Sequence, residues 1–294
     1  MDRNFLGLEA PWCELESANV VVVPIPYEHT TSYGKGTAKA PEAILGASRM
    51  VELYDEEVKG EAYRWMGGIA TLEPLIQSEA MVDADAVHHI RNAVDEILDR
   101  EKIVISIGGE HTVALGCVSA FASRYPGMSV LQFDAHSDLR DEYEGNPYSH
   151  ACVMKRILDG KIDIVQVGIR SQCQEEAHLI EKRNLATFLM SDMKKQDDWM
   201  SQALARLGDP VYITFDCDCL DPALMPAVGT PEPGGMNWDE TTAFLRRVMR
   251  ERRVVGLDLC ELAPIPGYDY PQFTAARLLY KVICYQAETQ CGKA

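Results

Sequence analysis

Short apolar runs rich in β-branched residues recur along this 294-residue chain, and they constrain its fold more than any other feature. Residues 20–24, 103–107, 129–133, 162–167, 211–215 and 254–259 are too short for helices and too continuously apolar for strands with one wet face. Such runs suit strands buried on both faces of a parallel sheet. Helical spacing fills the intervals between them. Within residues 83–100, Val87, Ile90, Val94, Ile97 and Leu98 fall on one stripe, and Pro41 stands where a first helical turn tolerates it, ahead of Ile44 and Leu45. Asn237 is placed to cap a further helix, with Glu240 three residues on and Phe244, Leu245, Val248 and Met249 on the apolar side. No linker, low-complexity tract or repeat breaks this alternation. The expectation is one α/β domain over residues 1–294, a three-layer α/β/α arrangement around a mainly parallel sheet. Gly/Pro-rich stretches at 33–36, 229–235 and 263–267 read as surface loops.

Charge narrows the partners. Asp and Glu number 45 against 28 Lys and Arg, a net charge of −17, which argues against nucleic acid and anionic membranes and favours the approach of cations. No signal or transit peptide is legible, and no run approaches the ~18 apolar residues needed to cross a bilayer. Nine scattered cysteines do not resemble a disulfide framework, so a reducing cytoplasm is the expected location.

In parallel sheets ligands sit beyond the carboxyl ends of the strands, and three of the runs end in polar residues of one kind. Residues 103–107 lead into Gly108-Gly109-Glu110-His111. Residues 129–133 lead into Asp134, His136 and Asp138, and residues 211–215 into Asp216, Cys217, Asp218 and Cys219. On extended chain a period of two puts Asp134, His136 and Asp138 on one side and Asp216 with Asp218, while the thiols of Cys217 and Cys219 point away into packing. Two imidazoles and four carboxylates sharing one edge repel unless a cation neutralises them. They exceed what one tetrahedral ion uses, which points to a two-metal site that activates water, and oxygen-rich ligation without thiolate favours Mn²⁺. His88 and His89 are expected off the apolar stripe and exposed, and no role falls to His29 or His178.

These blocks resemble the signature segments of the ureohydrolase family, which includes arginase and agmatinase, and further matches from Pro24-Ile25-Pro26-Tyr27-Glu28 to the segment ending at Glu261 extend the resemblance over nearly the whole chain. The resemblance implies an arginase-like fold, two Mn²⁺ ions per subunit and release of urea from a guanidino compound. By motif, His111, Asp134, Asp138 and Asp216 would hold one ion, and His136, Asp134, Asp216 and Asp218 the other, with Asp134 and Asp216 bridging. Asp138 would orient the attacking water and take its proton, His150 would shuttle a proton to the leaving amine, and Glu261 would anchor the guanidinium. Thr230 matches a family threonine that shapes the pocket. Ala151 follows His150 where arginases usually have Gly, and Glu110 replaces a common Asp at a position that is not a ligand.

Asp141, Glu142 and Glu144 precede His150, and such a loop would repel the α-carboxylate of arginine. Agmatine, yielding putrescine in polyamine biosynthesis, is therefore the expected cationic substrate, with N-aminopropylagmatine, guanidinobutyrate and arginine as alternatives. A phosphoesterase would need Arg or Lys in the ligand blocks, which have none before Arg140. A non-catalytic oligomeric homologue would be expected to have lost a ligand, and none is lost. By resemblance alone, the chain forms a homo-oligomer, a trimer or hexamer.

Overall fold

The computed structural model describes residues 4–76 and 80–291, the last without its side chain. Eight strands form one wholly parallel sheet: β1 (Val20–Ile25), β2 (Ile69–Thr71), β3 (Ile103–Gly108), β4 (Ser129–Phe133), β5 (Asp163–Ile169), β6 (Ala186–Leu189), β7 (Val211–Asp216) and β8 (Val254–Cys260). Their order across the sheet is β2-β1-β3-β8-β7-β4-β5-β6. Six match the expected runs within two residues at either end. The unexpected two, β2 and β6, are the edge strands.

Among the described residues ten α-helices accompany them: α1 (Ala40–Ser48), α2 (Ala62–Trp65), α3 (Asp83–Leu98), α4 (Val113–Arg124), α5 (Val153–Asp159), α6 (Gln174–Arg183), α7 (Met190–Met193), α8 (Trp199–Arg206), α9 (Trp238–Glu251) and α10 (Tyr270–Cys291). The period-two alternation of the strands divides the apolar residues between two cores. Val21, Val23, Val104, Val130 and Ile164 pack with α3, α4 and α5 on one face. Val20, Val22, Ile105, Leu131, Phe133, Ile213 and Phe215 pack with α1, α8, α9 and α10 on the other. The result is the expected three-layer α/β/α arrangement, with continuously apolar strands because both faces are covered.

Local signals hold at the helix starts. Pro41 sits in the first turn of α1, and the Asn237 side chain accepts the Glu240 N–H at 2.9 Å to cap α9. His88 is exposed, but His89 is half-buried, its Nε2 lying 2.9 Å from the Leu75 carbonyl oxygen. Of the three glycine-rich loops, the one at 229–235 is not wholly superficial: Gly229 is buried and accepts the Gly34 N–H at 3.0 Å.

Candidate active site

The four central strands, β3, β8, β7 and β4, lie side by side, and their carboxyl ends supply the site. β3 leads to His111, β8 to Glu261, β7 to Asp216 and Asp218, and β4 to Asp134, His136 and Asp138. Insertion of β8 and β7 between β3 and β4 is what joins segments far apart in sequence. Local geometry departs from the extended-chain expectation. β4 stops at Phe133, Asp138 has φ +52°, and Cys217–Cys219 is a 3₁₀ turn, so the ligand-type side chains converge through loop backbone and not through strand period. The thiols of Cys217 and Cys219 are nonetheless buried, and all eight cysteines with described side chains are free.

His111, fully buried, directs Nδ1 at Asp138 (2.9 Å), Asp134 (3.2 Å) and Asp216 (3.6 Å). His136 Nδ1 lies 2.8 Å from Asp218 and 3.7 Å from Asp134. Two groups of donors follow, His111 with Asp134 and Asp216, and His136 with Asp134 and Asp218; within each, the ligand atoms lie within 4.8 Å of one another. Asp134 belongs to both. The acids are held by backbone: Asp134 accepts the His136 N–H (2.6 Å), Asp218 that of Ala135 (2.9 Å) and Asp216 that of Asp218 (2.8 Å). Arg170 clamps the same turn through the carbonyl of Asp218 at 2.7 Å and ties it to the 229–235 loop through that of Glu232 at 2.7 Å.

Electrostatics fit a cation here. Burial, then the charge of Asp134, pushes the Asp138 carboxyl up to about 7, and burial with Asp218 and Asp134 holds Asp216 well above the ordinary carboxylate range. Burial opposes protonation of His111, but the Asp134 and Asp138 carboxylates outweigh it and raise the imidazole well above its usual value. Carboxylates forced together and an imidazole drawn to positive charge are groups that a divalent ion would stabilise. Hard oxygen and imidazole donors without thiolate suit a metal such as Mn²⁺.

Above them lies a cleft of ≈ 250 Å³, whose lining includes His111, His136, Asp138, Asp216, Asp218, His150, Thr230 and Glu261. Asp134 is wholly buried beneath it. Glu261, at φ +66°, accepts the His111 N–H on Oε1 at 2.6 Å. Burial, then the Glu110 charge, raises its carboxyl well above the ordinary range. His150 Nδ1 lies 3.7 Å from that Oε1 and has no hydrogen-bond partner among the described residues; burial lowers its pKa, so the ring is neutral at pH 7.

Several features escaped the sequence reading. Glu110 organises a loop: its carboxylate accepts the N–H groups of His29 and Thr30, each at 2.6 Å, and the hydroxyls of Thr30 and Thr112, and Thr30 in turn accepts the His150 N–H. Arg140 and Tyr143 line the cleft, the guanidinium carbon 5.1 Å from the ring centroid. Asp141, Glu142 and Glu144 do not line it. Asp141 is 81% exposed and pairs with Lys155 and Arg156, so the argument that loop carboxylates choose the substrate does not hold. A larger cavity, ≈ 860 Å³, opens where β3 and β8 begin, but carbonyl oxygens of Leu98, Ala18 and Leu204 hold its Arg124, Lys102 and Arg252.

Comparison with known proteins finds relatives over nearly the whole chain. The Arginase family model matches residues 18–285. The N(1)-aminopropylagmatine ureohydrolase of Synechocystis sp. is 41% identical, over 99% of this chain and 96% of its own. The agmatinase of Bacillus cereus is 32% identical, over 88% of each. Among solved structures, the agmatine ureohydrolase of Thermoplasma volcanium superposes with a TM-score of 0.82 at 32% identity, covering 95% of this chain and 94% of that one.

Proposed function

The chain belongs to the arginase family, and from that premise we propose that it is a two-metal ureohydrolase acting on N(1)-aminopropylagmatine or agmatine. The observation that carries the reading is the pair of donor groups sharing Asp134, set beneath a cleft that also holds His150 and Glu261. Relatives bearing both substrate names support that choice, with 41% identity on the side of the aminopropyl compound. The reaction places the protein in polyamine synthesis, with putrescine or its aminopropyl derivative, together with urea, as products.

His111, Asp134, Asp138 and Asp216 would hold one Mn²⁺, and His136, Asp134, Asp216 and Asp218 the second. Bound there, the two ions would acidify a water and stabilise charge developing in the transition state. Glu261 faces the guanidinium, and its fixed Oε1 orients the carboxylate for a charge-assisted contact. Asp138, which lines the cleft beside His111, accepts the proton of the attacking water. Addition of that water to the guanidinium carbon is followed by breakage of the C–N bond to the polyamine. His150, neutral and with Nδ1 unpaired, takes up a proton from solvent and delivers it to the departing amine, while the proton that Asp138 took from the water returns to solvent. Thr230 narrows the cleft.

The single sheet supports reading residues 1–294 as one domain. Among the described residues no helix is long and apolar enough to cross a membrane. We assign the enzyme to the cytoplasm and to a homo-oligomer, a trimer or hexamer. The test is urea release by Mn²⁺-loaded protein, and by a chelator-stripped control, from N(1)-aminopropylagmatine, agmatine, guanidinobutyrate and arginine. Metal-dependent turnover fastest on either polyamine precursor is expected. Preference for arginine or guanidinobutyrate would overturn the substrate, and no urea from metal-loaded protein would overturn the reaction.

A further inference from the structure

Behind the candidate metal centre runs a buried chain of hydrogen bonds that the reaction scheme does not use. His111 Nε2, on the side of the ring away from the acids, lies 2.8 Å from Thr214 Oγ1. Thr214 Oγ1 lies 2.7 Å from Asp258 Oδ1, Tyr212 donates its hydroxyl to Asp258 Oδ2 at 2.7 Å, and the Cys260 thiol approaches Oδ1 at 3.3 Å. His111, Thr214, Tyr212 and Asp258 are each at most 1% exposed. Strand period builds this arrangement: Tyr212, Thr214 and Asp216 alternate along β7, and Thr214 is the register partner of Asp258 on β8.

The direction of each bond follows from the donor inventory. An ionised carboxylate only accepts, and a threonine hydroxyl has one proton to give. Thr214 donates that proton to Asp258 and is left to accept from His111, which must then carry its proton on Nε2. The lone pair on Nδ1 is freed toward Asp134, Asp138 and Asp216. We propose that Thr214 and Asp258 are positioning residues that fix the metal-binding tautomer and orientation of His111 and thereby set the affinity of the centre. This rests on the two-metal reading above. Among the described residues His136 has no hydroxyl relay of this kind: its side chain is 26% exposed and its Nε2 faces Glu232 at 3.9 Å.

Calorimetric titration of Mn²⁺ into metal-stripped wild type, T214V, T214S and D258N tests it, with thermal unfolding of each stripped protein alongside. T214V keeps the shape and removes the hydroxyl, and a weakening of about 10–100-fold is expected. T214S retains the hydroxyl and restores tight binding. D258N presents an amide that can donate to Thr214, turn its proton toward Nε2 and place the imidazole proton on Nδ1, so its binding weakens at least as much as that of T214V. Wild-type affinity in both T214V and D258N overturns the proposal, even if their stripped forms melt earlier, because that pattern belongs to a purely structural role. Equal losses in T214V and T214S also overturn it. No Mn²⁺ binding by wild type overturns the two-metal reading itself.

Discussion

Asp138 combines two properties that can be separated by one substitution. Its backbone is left-handed, and its carboxyl, pushed up to about 7 by burial and then by Asp134, lies 2.9 Å from His111 Nδ1. Asn tolerates left-handed backbone better than most residues, so Asp138→Asn leaves the loop in place while it removes the charge, the basicity and a carboxylate metal ligand. Metal-stripped Asp138→Asn is expected to melt no earlier than wild type, since a repelling carboxylate is gone, while its urea release falls by more than about 100-fold. Near-wild-type turnover would remove Asp138 from the mechanism. At this scale the ligand-type residues were readable because Asp, His and Glu cluster after apolar runs. Thr214 and Asp258 were not, because each sits inside a strand with apolar neighbours and has meaning only opposite the other.

Among the elements, visibility from sequence tracked burial pattern. α3 and α9 each bury one stripe, and their periodicity marks them. α10 is buried around most of its circumference, so its apolar residues follow no stripe. β2 and β6 have three and four residues and close the sheet edges, too short for an apolar run to register. The end of β3 shows how an element aims a side chain. Gly109 donates to the Ile25 carbonyl at 2.9 Å, and a Cβ at this position would fall 2.0 Å from the Tyr27 carbonyl oxygen. Backbone must yield if any side chain is placed there. Gly109→Ala should destabilise the protein by about 1–3 kcal/mol and, by shifting Glu110 and His111, weaken Mn²⁺ binding. Denaturant unfolding and metal titration together check this, and unchanged values for both would show that the loop slides aside freely.

Across the whole molecule, the segment at residues 55–57 is joined by charge to α9 and α10. Lys281 on α10, 2% exposed, contacts Asp55 (2.9 Å), Glu56 (3.0 Å) and Glu57 (2.8 Å), and Arg246 on α9 bridges Glu57 to Glu288. Asp55 is fully buried, with Arg277 as its second cation at 3.3 Å. Lys281→Met leaves that charge short of a partner, and a loss of about 3–5 kcal/mol in denaturant unfolding is expected, with kcat/KM at 25 °C unchanged because the network lies away from the cleft. A loss below about 1 kcal/mol would show the ion pairs to be dispensable. The α/β class, six of the eight strands and the clustering of ligand-type residues after three of them are legible in the order of amino acids, because apolar period and residue chemistry are local properties. Tertiary structure alone decided that β8 and β7 stand between β3 and β4, that Asp141 turns to Lys155 and Arg156 and away from the cleft, and that Asp258 backs His111 through Thr214. Strand order, the partner of a loop charge and the far side of a buried imidazole are set by packing between segments from about fifteen to more than a hundred residues apart, and no local pattern encodes them.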